Sequence, residues 1–385
     1  MFLFHILVYV MFAYIMYMYA LKSNVKFPNS TKIDKYLWGF IIFFTIICTI
    51  RGRVGVDTLS YVHIFKYGDL REDVNGEYLF KFIADFIAKY GIHFSVGLGI
   101  CAFVQIYYVV KGMLNCKWLL VYVPLVMFGS NFFLGLVNGV RQMMVACIFI
   151  YASHFITEKK LLKYLITIFI CSLIHHSAVM LLPAYLLGYL PSLLENLSKR
   201  RMFLLIIFII CFVAGMIPQF QNVIKYVESV ANFVGYDDYA GRTMEFLSGE
   251  YNAERRVFGP MQLSYFLMGV FTLWFAPDLR KIYSSRIKSY DLWFFFNFFY
   301  ISAYFLVCNI SHIFIRPIQY FHMFHMIICT LVVYHLLYQG RHKRHMQILA
   351  YVFILIIWTS TSWDIIKNYR IPYEPVTYKT FLINK

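Results

Sequence analysis

Long apolar stretches separated by short, basic linkers recur along the whole of this 385-residue chain, and few folds accommodate that pattern. A membrane-crossing helix needs about 20 consecutive, mostly apolar residues. Residues 61% hydrophobic and only 14% charged supply such runs repeatedly, whereas a soluble domain has no use for so much apolar surface. Forty Phe and 32 Tyr suit lipid contact and the aromatic belts at a bilayer's two surfaces. Apolar runs near 2–21, 37–50, 92–110, 118–136, 140–156, 161–174, 177–190, 202–217, 259–276, 292–309, 317–338 and 346–363 predict an all-α, polytopic membrane protein of about twelve spans (10–14). The first run has no basic leader and no small-residue cleavage site, so it reads as a retained span. The chain reads as one integral membrane domain, 1–385, with long polar segments at 51–91 and 218–258.

Charge distribution orients this map. Linkers 22–36, 111–117, 157–163, 191–201, 277–291 and 339–345 hold 19 Lys and Arg against 5 Asp and Glu; the remainder holds 16 against 14. Lys and Arg collect on the cytoplasmic side of short loops, so these six linkers are expected inside and both termini outside. The net charge of +16 is then a consequence of topology. A nucleic-acid partner is excluded, because no basic helix is interleaved with exposed aromatics. The eight cysteines lie nearly all in apolar runs, with no CxxC pair and no zinc spacing, so neither metal nor cofactor is expected.

The opposite face concentrates the chemistry. Arg51, Arg53 and Asp57 follow the second apolar run in RGRVGVDTLSY, and Glu77 opens an amphipathic stretch, NGEYLFKFIADFIAKYGIHF. Arg141 and Gln142 follow GLVNG. His175, His176 and Ser177 occupy a turn, and Arg316 with Tyr320 sits in HIFIRPIQYFHMFH, four residues after His312. An arginine at a span end often does no more than anchor headgroups. Arg141 is different, since an ionised side chain facing lipid near the bilayer centre costs at least about 2.5 kcal/mol. Several arginines around one wet cavity invite an anion, and the planar guanidinium fork suits phosphate oxygens. Nearby tyrosines suit sugar faces. These residues predict a site for a phosphorylated lipid carrying a glycan.

At those positions the chain resembles the EpsG-like proteins, Wzy-type O-antigen and exopolysaccharide polymerases of bacterial inner membranes. The matching motifs are R-x-x-V-G-V-D-T-x-x-Y (Arg51 to Tyr61), Glu77 ahead of an apolar helix, L-V-N-G-V-R-Q-M-M-V-A (Leu136 to Ala146), I-H-H-S-A-V-M-L-L-P-A-Y (Ile174 to Tyr185) and F-I-R-P-I-Q-Y-F (Phe314 to Phe321). The resemblance spans about residues 40 to 335, with loose apolar sequence between motifs. It implies joining of oligosaccharide repeat units on undecaprenyl diphosphate, both as donor and as acceptor, in a GT-C-like architecture. A chain-length regulator protein is a candidate partner beside the membrane lipid. In this reading Asp57 and His175 are the candidate bases, and Arg51, Arg53, Glu77, Arg141, Gln142, Arg316 and Tyr320 bind substrate. The Asp237–Asp238 doublet is adjacent and not a D-x-D pair, so transfer is expected without a divalent metal. A glycan–lipid flippase would need matching polar residues on both faces. An O-antigen ligase would share the donor with a different acceptor.

Overall fold

A computed structural model describes residues 2–28, 30–52, 54, 55, 57–68, 76–217, 258–309 and 312–368. The secondary structure is helical: α1 (Phe2–Lys26), α2 (Lys35–Thr49), α3 (Thr58–Tyr67), α4 (Tyr78–Lys89), α5 (Phe94–Gly112), α6 (Lys117–Leu120), α7 (Val123–Gly129), α8 (Phe132–Asn138), α9 (Val140–Thr157) and α10 (Leu161–Ile174). A 3-10 helix (His176–Tyr189) follows, then α11 (Pro191–Ser198), α12 (Arg201–Met216), α13 (Pro260–Trp274), α14 (Ala276–Tyr283), α15 (Tyr290–Val307), α16 (His312–Gln319), α17 (His322–Gly340) and α18 (Arg344–Asn368). Most of the long segment at 218–258, with Asp237 and Asp238, lies outside the described residues.

The polytopic, all-helical character agrees with the sequence pattern; the span count does not. Among the described residues, six helices, α1, α5, α9, α15, α17 and α18, are long and apolar enough to cross a bilayer, or seven if the 3-10 helix and α11, bent by 88°, form one broken span. That is fewer than the twelve apolar runs of the sequence, and the causes are local. The run 118–136 breaks into α6, α7 and α8, with Pro124 in the first turn of α7 and an extended Ser130 closing it. The run at 177–190 winds as a 3-10 helix around Pro183, far longer than such helices usually run. Helices α2, α10 and α12 are apolar but short. A 15-residue helix such as α2 is about 22 Å long, against a hydrocarbon core of about 30 Å.

The basic linkers gather at one end of the bundle. Asp34 caps α2 by accepting from the Tyr36 and Leu37 N–H groups, and it accepts from Lys117 Nζ at 2.7 Å, joining linkers 22–36 and 111–117. Burial pushes the Asp34 carboxyl up, but the bonds from Lys117, Ser23 and Leu37 outweigh it and leave the group below its ordinary range. His154 Nε2 reaches Gly112 O at 2.7 Å and its Nδ1 reaches Ser289 Oγ at 3.1 Å, while Thr157 also bonds Ser289. Ser198 donates to Asp291, Arg201 pairs with Asp278, and Arg280 pairs with Glu195 and Asp291. Trp118 packs on Tyr334 near the end of α17. The motif residues from 51 to 61, 77, 136 to 142, 174 to 177 and 316 meet elsewhere, at the opposite ends of these helices.

Candidate active site

Arg51 leads into a tight loop that folds against the end of α8. Gly55 adopts a positive φ of 92°, and a Cβ there would come within 3.0 Å of both Asn138 Oδ1 and Val137 O. Only glycine suits that backbone at that separation. Asn138 Oδ1 accepts from the Asp57 N–H at 3.2 Å, and Thr58 Oγ1 donates to Val54 O. Arg51 itself is 2% exposed, with Nη2 directed at Val137 O at 3.4 Å. It thus serves the carbonyl end of α8, which lacks helical partners. Arg51 was expected to hold phosphate, yet it is sealed behind the cavity wall and braces the loop instead. Arg53 lies outside the described residues. Asp57, by contrast, is exposed and lines the cavity.

The centre of the site is Glu77, the residue before α4 and 4% exposed. One carboxylate oxygen pairs with Arg141 Nη1; the other accepts from His175 Nδ1 and from the His176 N–H at 3.3 Å. Burial alone would push the Glu77 carboxyl up. The His175 bond, the Arg141 charge and the His176 N–H together hold it below its ordinary value. The Phe80 ring, one turn along α4, lies under the Arg141 guanidinium at 5.4 Å. The Arg141 backbone N–H, freed by the start of α9, donates to Tyr61 Oη at 3.4 Å. Arg141 was expected to face a polar cavity or a partner, and it does both: it lines the cavity and pairs with Glu77, while among the described residues its buried Nε has no hydrogen-bond partner.

Around this node opens a cavity of about 590 Å³. Asp57, Arg141, Gln142, His175 and Arg316 all line it, drawn from separate parts of the chain. Gln142 donates to Arg316 O and so fixes the α16 backbone against α9. Tyr320 takes another place: its hydroxyl bonds Ser177 Oγ at 2.6 Å, making a strut behind the His175 turn. Glu77 likewise acts behind the wall. The His312 side chain lies outside the described residues.

The opposite wall escaped the sequence reading. Tyr300 and Tyr304 stack one turn apart on α15, Tyr265 packs on Tyr304 at 6.0 Å, and His322 lies between Phe132 and Tyr300. Asn131 also lines the cavity, held by Asp364 at 2.7 Å and Thr361 at 3.2 Å. In the sequence these tyrosines look like any aromatic in an apolar helix. Asn138 in L-V-N-G carried a signal, since a polar residue before glycine commonly marks a turn.

The sequence model of the EpsG family matches residues 35–374, which takes in every motif described above. The chain belongs to the EpsG family. That family is a Wzy-like polysaccharide polymerase family. No curated protein and no solved structure matches this EpsG-family chain.

Proposed function

We propose that this EpsG-family chain lengthens a surface polysaccharide by transferring the growing glycan from undecaprenyl diphosphate to a hydroxyl of an incoming lipid-linked repeat unit. A bacterial inner membrane, with the cavity and both termini on its outer face, a GT-C-like architecture and a chain-length regulator as partner belong to the same reading. The single observation that carries it is the convergence of Arg141, Arg316, His175 and Asp57 on one cavity at the end remote from the basic linkers.

In the transfer, the acceptor hydroxyl attacks the anomeric carbon, the bond from that carbon to the diphosphate oxygen breaks, and its electron pair leaves on the diphosphate. Arg141 and Arg316 are placed to meet that developing charge with fixed donors. His175 takes the hydroxyl proton. Its Nδ1–H donates to Glu77, which leaves Nε2 as the basic nitrogen for the cavity. Asp57 is the rival base, on the same cavity but with its backbone held by Asn138.

Purified protein in nanodiscs, supplied with lipid-linked repeat units, tests this. His175→Ala is expected to retain donor binding and to slow bond formation by about 10²- to 10⁴-fold, the usual range for a lost general base. The same pattern in Asp57→Asn, with His175→Ala active, would move the base to Asp57. Long-chain polymer at near-normal rate from both variants would remove the chemistry from this cavity.

A further inference from the structure

Beside the polar cavity, on the far side of α16, lies an apolar groove of about 320 Å³ between the 3-10 helix, α15 and α16. Ala184 and Leu187 form one wall, Phe296 and Phe299 the other, and Pro317 and Ile318 close the end nearest the cavity. Phe321 makes the floor, with its ring 5.1 Å from Phe296 and 5.0 Å from Phe299. Met180 and Phe299 at the groove are 49% and 41% exposed, so it opens onto the apolar outer surface of the bundle.

Two junctions connect groove to cavity. On α16, Ile315 and Arg316 face the cavity and the next two residues, Pro317 and Ile318, face the groove. Tyr320 lines the groove while its hydroxyl holds Ser177, two residues from the His175 that lines the cavity. An amphiphile with its anionic head on Arg316 therefore has an apolar groove beginning at the next two residues, Pro317 and Ile318. We infer that this groove holds the first isoprene units of the polyprenyl chain whose diphosphate sits on Arg141 and Arg316. The inference rests on the polymerase reading, and bulk membrane lipid is the competing occupant.

The test uses the full-length protein in nanodiscs and one repeat unit carried on either undecaprenyl diphosphate or geranyl diphosphate. The readout is the ratio of kcat/KM between the long-chain and short-chain donors. Ala184→Phe fills the groove from one wall, and Phe299→Ala strips the other at an exposed position; thermal unfolding of each checks the fold. Each is expected to reduce the preference for the long chain about tenfold, the loss of roughly ten close carbon–carbon contacts between tail and groove wall. An unchanged preference in both variants means the groove holds bulk lipid and overturns the inference. Binding of undecaprenyl diphosphate without glycan, measured against inorganic diphosphate, separates the two readings. Should the wild type fail to polymerise either donor while Ala184→Phe selectively weakens undecaprenyl diphosphate binding, the groove stands and the polymerase reading falls.

Discussion

Removing Glu77 is expected to cost more stability than removing Arg141, although the two form one ion pair. The asymmetry follows from the geometry of the carboxylate. In Glu77→Ala, Arg141 loses its carboxylate, and its side chain is only 21% exposed. His175 Nδ1 and the His176 N–H lose their acceptor in the same step. Breaking a buried pair by deleting one partner costs about 3–5 kcal/mol, because a charge is left without compensation. In Arg141→Met, by contrast, the Glu77 charge is still partly compensated by the bonds from His175 and the His176 N–H, and by protonation of His175, and methionine is expected to pack on Phe80. The cost should then be near that of one charged hydrogen bond, about 1.5–3 kcal/mol. The double variant should cost less than the two losses added, by about 1–3 kcal/mol, since the residues share one network. Unfolding by sodium dodecyl sulfate in mixed micelles at neutral pH measures all three. Equal costs for the single variants, or strict additivity in the double, would refute the view of Glu77 as the common acceptor.

Two further outcomes follow from the same coordinates. The folded Glu77 carboxyl lies below its ordinary value of 4.5, so its contribution to stability is fully present above that pH and is lost as pH falls through the folded value. The stability gap between wild type and Glu77→Gln should therefore be constant from about pH 7 to pH 5.5 and narrow below about pH 4.5; a gap that widens on acidification would mean burial wins. For sidedness, Ser60→Cys and Lys199→Cys sit on exposed positions of α3 and beside α11, while the native cysteines are buried except for half-buried Cys211. A membrane-impermeant maleimide should label them from opposite sides, and labelling of both from one side would dismiss the orientation.

What could be read from the residues alone was whatever depends on short-range pattern. The apolar runs announced a membrane bundle, and the charge counts picked out six linkers that pack together at one end. The quoted motifs brought Asp57, Arg141, Gln142, His175 and Arg316 to one cavity. What could not be read depends on distant partners. Arg51 faces inward because Val137 O, 86 residues on, lies where its guanidinium can reach. A span-end arginine looks the same in sequence whether it faces ligand, lipid or a helix end. Glu77 likewise gave no sign of holding two motifs at once. The breaks within the apolar runs were hidden for another reason: hydropathy averages over Pro124, Ser130 and Pro183, where two of the runs are interrupted.

The Glu77 node also changes what the arginines ask of a ligand. With Arg141 unpaired, two cations would line one cavity and repel each other. Pairing with Glu77 relieves that repulsion. It does not exhaust Arg141, whose guanidinium carries five N–H donors and which lines the cavity. In the proposed reading the pair is an orienting device: Glu77 holds one Nη, and the donors on the cavity side are left for phosphate oxygens. The other oxygen of the same carboxylate fixes the His175 ring. In the proposed reaction, leaving-group charge and acceptor proton appear in one transfer. Both groups proposed to receive them, Arg141 and His175, contact one residue at the start of α4, so a shift of that helix would misalign donor and base in a single step.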